Sequence, residues 1–404
     1  MPSVPVVHLR PGHVQPVWAG HPWVYAQAIA RVEGATPAPG DEVRVVDPHG
    51  HLLGRGFWSA RSAIPVRLVV PDEEADLDAP AWLEQRLRAA IARRRAVGLP
   101  DGATDGFRLV HAEGDGVSGL VVDRFGGEPD GTGGTISVQV GTAGLRRRAK
   151  LVLEALDAVV RPTAILDRTA ATAAKAEGFD LAGSPFTRGT VDELRFRERG
   201  LSYVIPTDLG QKTGYYFDQR GLRDRVELLA RGRRVLDAYC YVGSLGLAAA
   251  RGGATSVLGL DDSLRAVEVG SHLAKANGLA VQFERGDVRK RIPELAAKGE
   301  KYDLVVLDPP KLAPTRGDRD AAAKYTQRLI ESACDVLAPN ALLVLCSCSQ
   351  ALRMGDLVRS LAIGTRRRER LATVLERLGQ GPDHPVPAAF DEGVYLSTVI
   401  AEVA

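Results

Sequence analysis

Val235-Leu236-Asp237-Ala238-Tyr239-Cys240-Tyr241-Val242-Gly243-Ser244-Leu245-Gly246 reads as a buried strand that breaks into a glycine-bearing turn and then enters an alanine-rich helix. The residues that follow repeat this alternation. Ser256-Val257-Leu258-Gly259-Leu260 is a second apolar strand ending in Asp261-Asp262, and Leu264 to Asn277 has helical spacing. Val281-Gln282-Phe283, Leu304-Val305-Val306-Leu307 and Leu342-Leu343-Val344-Leu345 continue the series. Strands that are apolar throughout, separated by helices, are buried on both faces, and this predicts a doubly wound α/β domain with a parallel sheet.

Toward the N-terminus the pattern differs. Residues 1–71 alternate apolar and polar positions between turn signals, with short strands expected at Val43–Val46, Leu52–Phe57 and Ile64–Val69. Pro71 to Asp78 is an acidic linker, and Trp82 to Val97 is a helix rich in arginine. Phe107–Val110 and Leu120–Asp123 form paired strands, Thr135–Val140 a third, and Leu145 to Val160 one helix. The division expected is a β-rich domain over 1–71, a small α+β domain over 72–200 and a Rossmann-like domain over 201–404. The 404 residues are too many for one small core.

Net charge is +2, which identifies no partner. The triplets Arg93-Arg94-Arg95, Arg146-Arg147-Arg148 and Arg366-Arg367-Arg368 are read as solvated helix faces, a weak signal for nucleic acid. No apolar run approaches 18 residues and no basic-then-apolar leader opens the chain, which argues against a signal peptide or membrane span. The four cysteines lack CxxC spacing, so neither a zinc site nor a redox pair is expected, and a reducing cytoplasm is the expected compartment.

Ligands of doubly wound sheets lie beyond the carboxyl ends of the strands, at the switch in strand order. Five such ends carry suggestive residues. The turn from Asp237 to Gly243, with Tyr239 and Tyr241, allows close backbone approach to a ligand. Asp261, 18 residues after Gly243, can accept from both hydroxyls of a ribose. Asp287 is positioned for an adenine edge. Each alone is equally explained by a cap or a turn; together they indicate an adenosine-containing cofactor, either a nicotinamide dinucleotide or S-adenosylmethionine. Asp308-Pro309-Pro310-Lys311 decides for S-adenosylmethionine. Two prolines after a buried strand hold the backbone extended, and an unpaired Asp308 at the sheet tip would present hydrogen-bond acceptors to a flat base.

The fifth strand end is Cys346-Ser347-Cys348-Ser349. A thiolate suits methylation at a pyrimidine C5, since its attack at C6 makes C5 nucleophilic. Cys348 is nearer the strand end than Cys346 and is the candidate nucleophile; Cys240 and Cys334 are read as packing residues.

These residues resemble a known family, the large-subunit rRNA 5-methylcytosine methyltransferases with an N-terminal PUA domain (the RlmI-like family), over nearly the whole chain. Gly20-His21-Pro22-Trp23-Val24-Tyr25, Gly40-Asp41-Glu42-Val43 and Leu53-Gly54-Arg55-Gly56 are similar to the PUA opening. The run from Phe107 to Arg124, containing His111-Ala112-Glu113-Gly114-Asp115-Gly116, resembles the central signature, and the run from Gly210 to Arg220 resembles the entry to the methyltransferase domain. Asp383-His384-Pro385-Val386, with Glu392 and Tyr395-Leu396, is similar to the family's end. The resemblance implies a class I methyltransferase that uses S-adenosylmethionine and no metal, acting on rRNA in the cytoplasm, with a dimer suggested by relatives. It implies cofactor contacts at Gln219, Arg220, Asp237, Tyr239, Tyr241, Gly243, Asp261, Asp287 and Asp308, catalysis by Cys348 and Asp308, and substrate contacts at Pro309, Pro310 and Lys311. Ser244 departs from the second glycine of the cofactor turn, and Asp167-Arg168-Thr169 stands where Glu-Arg-Ser is more usual.

Three other readings are distinguishable. An exocyclic-amine methyltransferase would use Asp308-Pro309-Pro310 without a thiol. A non-catalytic RNA-binding relative would lack cofactor affinity. A nicotinamide dehydrogenase would need an acid/base group at a hydride site, which the strand ends do not supply.

Overall fold

The computed structural model describes residues 4–59, 61–209, 213–312 and 316–404; Gly210-Gln211-Lys212 of the entry motif lies outside them. The chain divides into two compact units, one made of the residues up to Phe217 with Pro382–Gly393, the other of Asp218–Gly381 with Val394–Ala404.

The first unit begins with β1 (Val6–Leu9), α1 (Val14–Trp18), β2 (Trp23–Val24), β3 (Ile29–Glu33), β4 (Glu42–Val46), β5 (Leu52–Trp58) and β6 (Val66–Val70). They form a six-stranded sheet in the order β2-β6-β5-β4-β1-β3 around Val7, Leu9, Val24, Val43, Val45 and Val66. After α2 (Ala81–Ala96), the strands β7 (Phe107–His111), β8 (Leu120–Phe125) and β9 (Thr135–Val140) follow as expected. The expected helix over 145–160 is two helices, α3 (Ala143–Arg147) and α4 (Ala149–Val159). Arg148 breaks it: its backbone is non-helical, and its guanidinium lies 4.3 Å from the Phe57 ring centroid and donates to the Gly40 carbonyl at 2.9 Å. β10 (Ala164–Asp167), α5 (Ala171–Glu177), β11 (Glu193–Glu198) and β12 (Leu201–Pro206) complete this unit, with β10-β9-β8-β7 as a sheet and β11-β12 as a hairpin.

The arginine triplets are not solvated faces throughout. Arg94 is 1% exposed and its guanidinium is fully engaged, donating to Asp115 Oδ1 at 2.6 Å, the Arg108 carbonyl at 2.8 Å and the Asp383 carbonyl at 2.7 Å. Asp115 in turn accepts from Arg93 at 3.0 Å and from the His111 amide at 2.6 Å. Arg146 pairs with Asp167 at 2.7 Å. The central signature is therefore a buried polar scaffold: Glu113 also accepts from Trp23 Nε1 at 2.8 Å and Ser118 at 2.6 Å, and Asp383 Oδ2 accepts from the Arg108 amide at 3.0 Å. Gly114 is required there because a Cβ would lie 1.9 Å from the Pro385 carbonyl oxygen.

The second unit opens with α6 (Arg220–Leu229) and continues through β13 (Arg234–Ala238), α7 (Ser244–Arg251), β14 (Ser256–Asp261), α8 (Leu264–Ala276), β15 (Gln282–Arg285), α9 (Val288–Ala297), β16 (Tyr302–Leu307), α10 (Arg319–Cys334), β17 (Leu337–Ser347), α11 (Met354–Arg366), β18 (Ala372–Leu378) and β19 (Ser397–Val403). The sheet order is β15-β14-β13-β16-β17-β19-β18. It is parallel from β15 to β17, as expected, but β19 runs antiparallel between β17 and β18. A hydrophobic core lies on each face. Along β16, Leu304 and Val306 pack with α6 and α7, and Val305 and Leu307 with α9 to α11, which is why the strand has no polar face. The order reverses between β13 and β16, so the switch point lies where Asp237 and Asp308 occur. No helix among the described residues is long and apolar enough to cross a membrane.

Candidate active site

The turn after β13 has an uncommon backbone. Tyr239, Tyr241 and Gly243 all have left-handed φ values, 65°, 51° and 75°. Two bulky residues in that region store strain, and such strain gathers at ligand sites. Gly243 must be glycine on two grounds: it precedes α7 in this conformation, and a Cβ there would lie 2.3 Å from the Phe283 ring. The same ring fills the space beside Gly259 and Gly270. Sequence reasoning did not single out Phe283, although three glycines around one aromatic were the available signal.

Asp237 is fully buried and its Oδ2 accepts from the Gly246 amide at 2.8 Å, bracing β13 against α7. Its Oδ1 is buried with no hydrogen-bond partner among the described residues. Burial, then the charges of Asp308 and Asp261, push its carboxyl up to about 7. Asp261 closes β14 and holds the turn, accepting from the amides of Tyr241 at 2.8 Å and Ser263 at 3.0 Å, and burial raises its pKa as well. Each of its oxygens retains a lone pair for a further donor such as a ribose hydroxyl.

Asp308, one residue past β16, is not unpaired. Its Oδ2 accepts from Gln219 Nε2 at 2.8 Å, a contact that fixes the carboxylate and accounts for Gln219, which is itself buried. Pro309 is buried, whereas Pro310 and Lys311 are exposed. Arg220, the first residue of α6, is 8% exposed. Asp287 also serves its own helix: it caps α9 through the Arg289 amide at 3.0 Å and forms an ion pair with the Arg289 guanidinium at 2.7 Å, which lowers its pKa. An adenine edge there meets an engaged carboxylate. Tyr239 meets a residue the sequence did not point to, Tyr325 of α10, with hydroxyls 3.2 Å apart.

The two candidate thiols differ. Cys346 lies inside β17, 1% exposed, packed with α6 and α7 and contacted by the Thr398 hydroxyl at 3.5 Å; burial raises its pKa well above the ordinary thiol value. Cys348 lies just past the strand and is partly exposed. Since β16 and β17 are neighbours paired at Leu307 and Leu345, Asp308 and Cys348 leave adjacent strands on the same carboxyl edge. Cys240 and Cys334 are buried, as read from sequence.

A family model described as S-adenosylmethionine-dependent methyltransferase matches residues 170–394, and one described as a PUA-like domain matches 7–70. Among solved structures, a chain described as a methyltransferase complexed with SAH superimposes with a TM-score of 0.83 at 16% identity, covering 99% of this chain and 100% of that one. These findings define a class I, S-adenosylmethionine-dependent methyltransferase with an N-terminal PUA-like domain. The chain is also 31% identical to ribosomal RNA large subunit methyltransferase I of Shewanella frigidimarina over 98% of this chain and 99% of the relative. It is 32% identical to the protein of that name from Photobacterium profundum over 96% and 97%. It belongs to the ribosomal RNA large subunit methyltransferase I family.

The residues present fit the cofactor this family uses. The orphaned Asp237 oxygen suits a cationic ligand, and Asp261 suits a diol. A ligand carrying a sulfonium and an ammonium favours the ionised form of Asp237, so binding should release a proton near neutrality. S-adenosylmethionine affinity is accordingly expected to tighten as pH rises from 6 to 8 in the wild type and to vary little in Asp237→Asn; calorimetry showing the same pH slope in both would contradict this. The sign for folding is opposite. A carboxyl whose folded pKa is raised to about 7 contributes stability fully present below its ordinary value of 3.8 and lost as pH rises through about 7.

Proposed function

We propose that this enzyme forms 5-methylcytosine in large-subunit rRNA, with Cys348 as nucleophile and Asp308 holding the base. The observation that carries this reading is the exit of Asp308 and Cys348 from the adjacent strands β16 and β17, with Gln219 fixing the carboxylate and the other thiol of the pair, Cys346, sealed in the core. The Cys348 thiolate adds to C6 of cytosine, and Asp308 hydrogen-bonds N3 or the exocyclic amine, favouring the protonated base that the attack develops. C5 becomes nucleophilic, and S-adenosylmethionine supplies the electrophilic methyl group. Loss of the C5 proton then expels the thiolate. The turn Asp237–Gly243 with Asp261 binds the cofactor, with Gln219, Arg220 and Asp287 as further contacts, and Pro309-Pro310-Lys311 lines the base pocket. The names of the relatives support rRNA as substrate, and the PUA-like and central domains would grip it by shape and phosphate. The division at 71/72 and 200/201, a cytoplasmic site of action and a homodimer are proposed with this reading.

Incubating the protein with 23S rRNA and labelled S-adenosylmethionine, then digesting to nucleosides, should give 5-methylcytidine. Label on an amino nitrogen would favour the exocyclic-amine reading.

A further inference from the structure

Helices α10 and α11 both start from the carboxyl edge of the sheet, α10 after the strand that carries Asp308 and α11 after the one that carries Cys348. They lie side by side, Gly364 of α11 so close to Ile330 that a Cβ would meet it at 2.8 Å. On their outer side is a cleft of about 420 Å³, lined on α10 by residues 319, 320, 323, 324 and 327 and on α11 by 356, 359, 360, 363 and 367. These spacings are single helix faces, so the cleft runs lengthwise from the helix starts. Arg319, Lys324, Arg359 and Arg367 bring four cations against two carboxylates, Asp320 and Asp356. Arg319 is held by Asp356 and Arg367 by Glu331. Lys324 and Arg359 are exposed and have no ion-pair partner among the described residues.

We infer that this cleft is a track for the phosphodiester backbone of the RNA segment flanking the target nucleotide. The cations extend along about 12 Å of helix between Arg359 and Arg367, which suits a chain of phosphates better than one anion. One end of the track opens on the edge from which Asp308 and Cys348 emerge, so a strand with its base at those residues has its backbone directed along it. The cleft also takes in Arg367 of the arginine triplet that the catalytic site leaves unused. The inference rests on the RNA-substrate reading above.

The test uses the full chain and a 23S rRNA transcript, comparing wild type with Lys324→Ala/Arg359→Ala. The double variant should weaken RNA binding by on the order of tenfold and make the slope of log affinity against log salt shallower by roughly 0.7 for each cation removed. The loss should fall on KM for RNA rather than on kcat, with S-adenosylmethionine affinity and melting temperature retained. Wild-type RNA affinity and salt slope in the variant would overturn the track while leaving the RNA reading intact. Failure of the wild type itself to bind or methylate the transcript would overturn both. Single Lys324→Ala and Arg359→Ala variants should each show about half of the change in slope; a loss of cofactor affinity in either would instead mark the residue as part of the fold.

Discussion

Replacing Cys348 with alanine is expected to abolish 5-methylcytosine formation, with kcat falling by at least about 10⁴-fold, while S-adenosylmethionine still binds with wild-type affinity. The size of the effect follows from the chemistry: without a covalent bond at C6, C5 of cytosine has no nucleophilic character to offer, and no neighbouring group can replace the thiol. Cys346 cannot, because it is enclosed between β17 and the helices α6 and α7, with burial raising its pKa. Cys346→Ala should accordingly retain most activity and lose only packing, on the order of 1–2 kcal/mol. Single-turnover rates and calorimetry on the two variants separate the roles. Equal activities in the two proteins would refute the assignment.

The second large effect is on folding. Asp115→Ala is expected to destabilise the protein by about 3–5 kcal/mol, because it leaves the Arg94 guanidinium buried without its counter-charge and releases the Arg93 and His111 contacts at once. Arg94→Met should cost less, since Asp115 keeps its contacts with Arg93 and the His111 amide while methionine fills much of the vacated volume. Thermal unfolding of the three proteins orders them as wild type, Arg94→Met, Asp115→Ala. An Asp115→Ala protein as stable as wild type would mean that the central signature serves something other than the scaffold.

That signature illustrates what sequence can and cannot convey. Strand positions such as Thr135–Val140 and Leu304–Leu307 were legible because their periodicity is local and their neighbours agree with it. The strand ends carrying Asp237, Asp261, Asp308 and Cys348 followed from the alternation of strands and helices. What failed depends on distant partners. Arg94 looks like any helix arginine until Asp115 and the Asp383 carbonyl, 289 positions away, close around it. Arg148 interrupts a helical pattern because of Phe57 and Gly40. Asp308 read as unpaired because Gln219 lies 89 positions earlier. β18 was hidden beside the arginine run from Arg366 to Arg370, where an alternating half-buried strand follows charge without a turn signal. Tyr325 had no local signal at all.

The most direct test of the central claim uses RNA in which cytosine is replaced by 5-fluorocytosine. Fluorine at C5 cannot leave as a proton does, so the reaction stops after methyl transfer with the enzyme still bonded to C6. The wild type should form a denaturation-resistant protein–RNA adduct dependent on S-adenosylmethionine, with peptide mapping locating the bond at Cys348, and Cys348→Ala should form none. An adduct of equal yield with Cys348→Ala, or methylation by the wild type with no adduct at all, would contradict the mechanism.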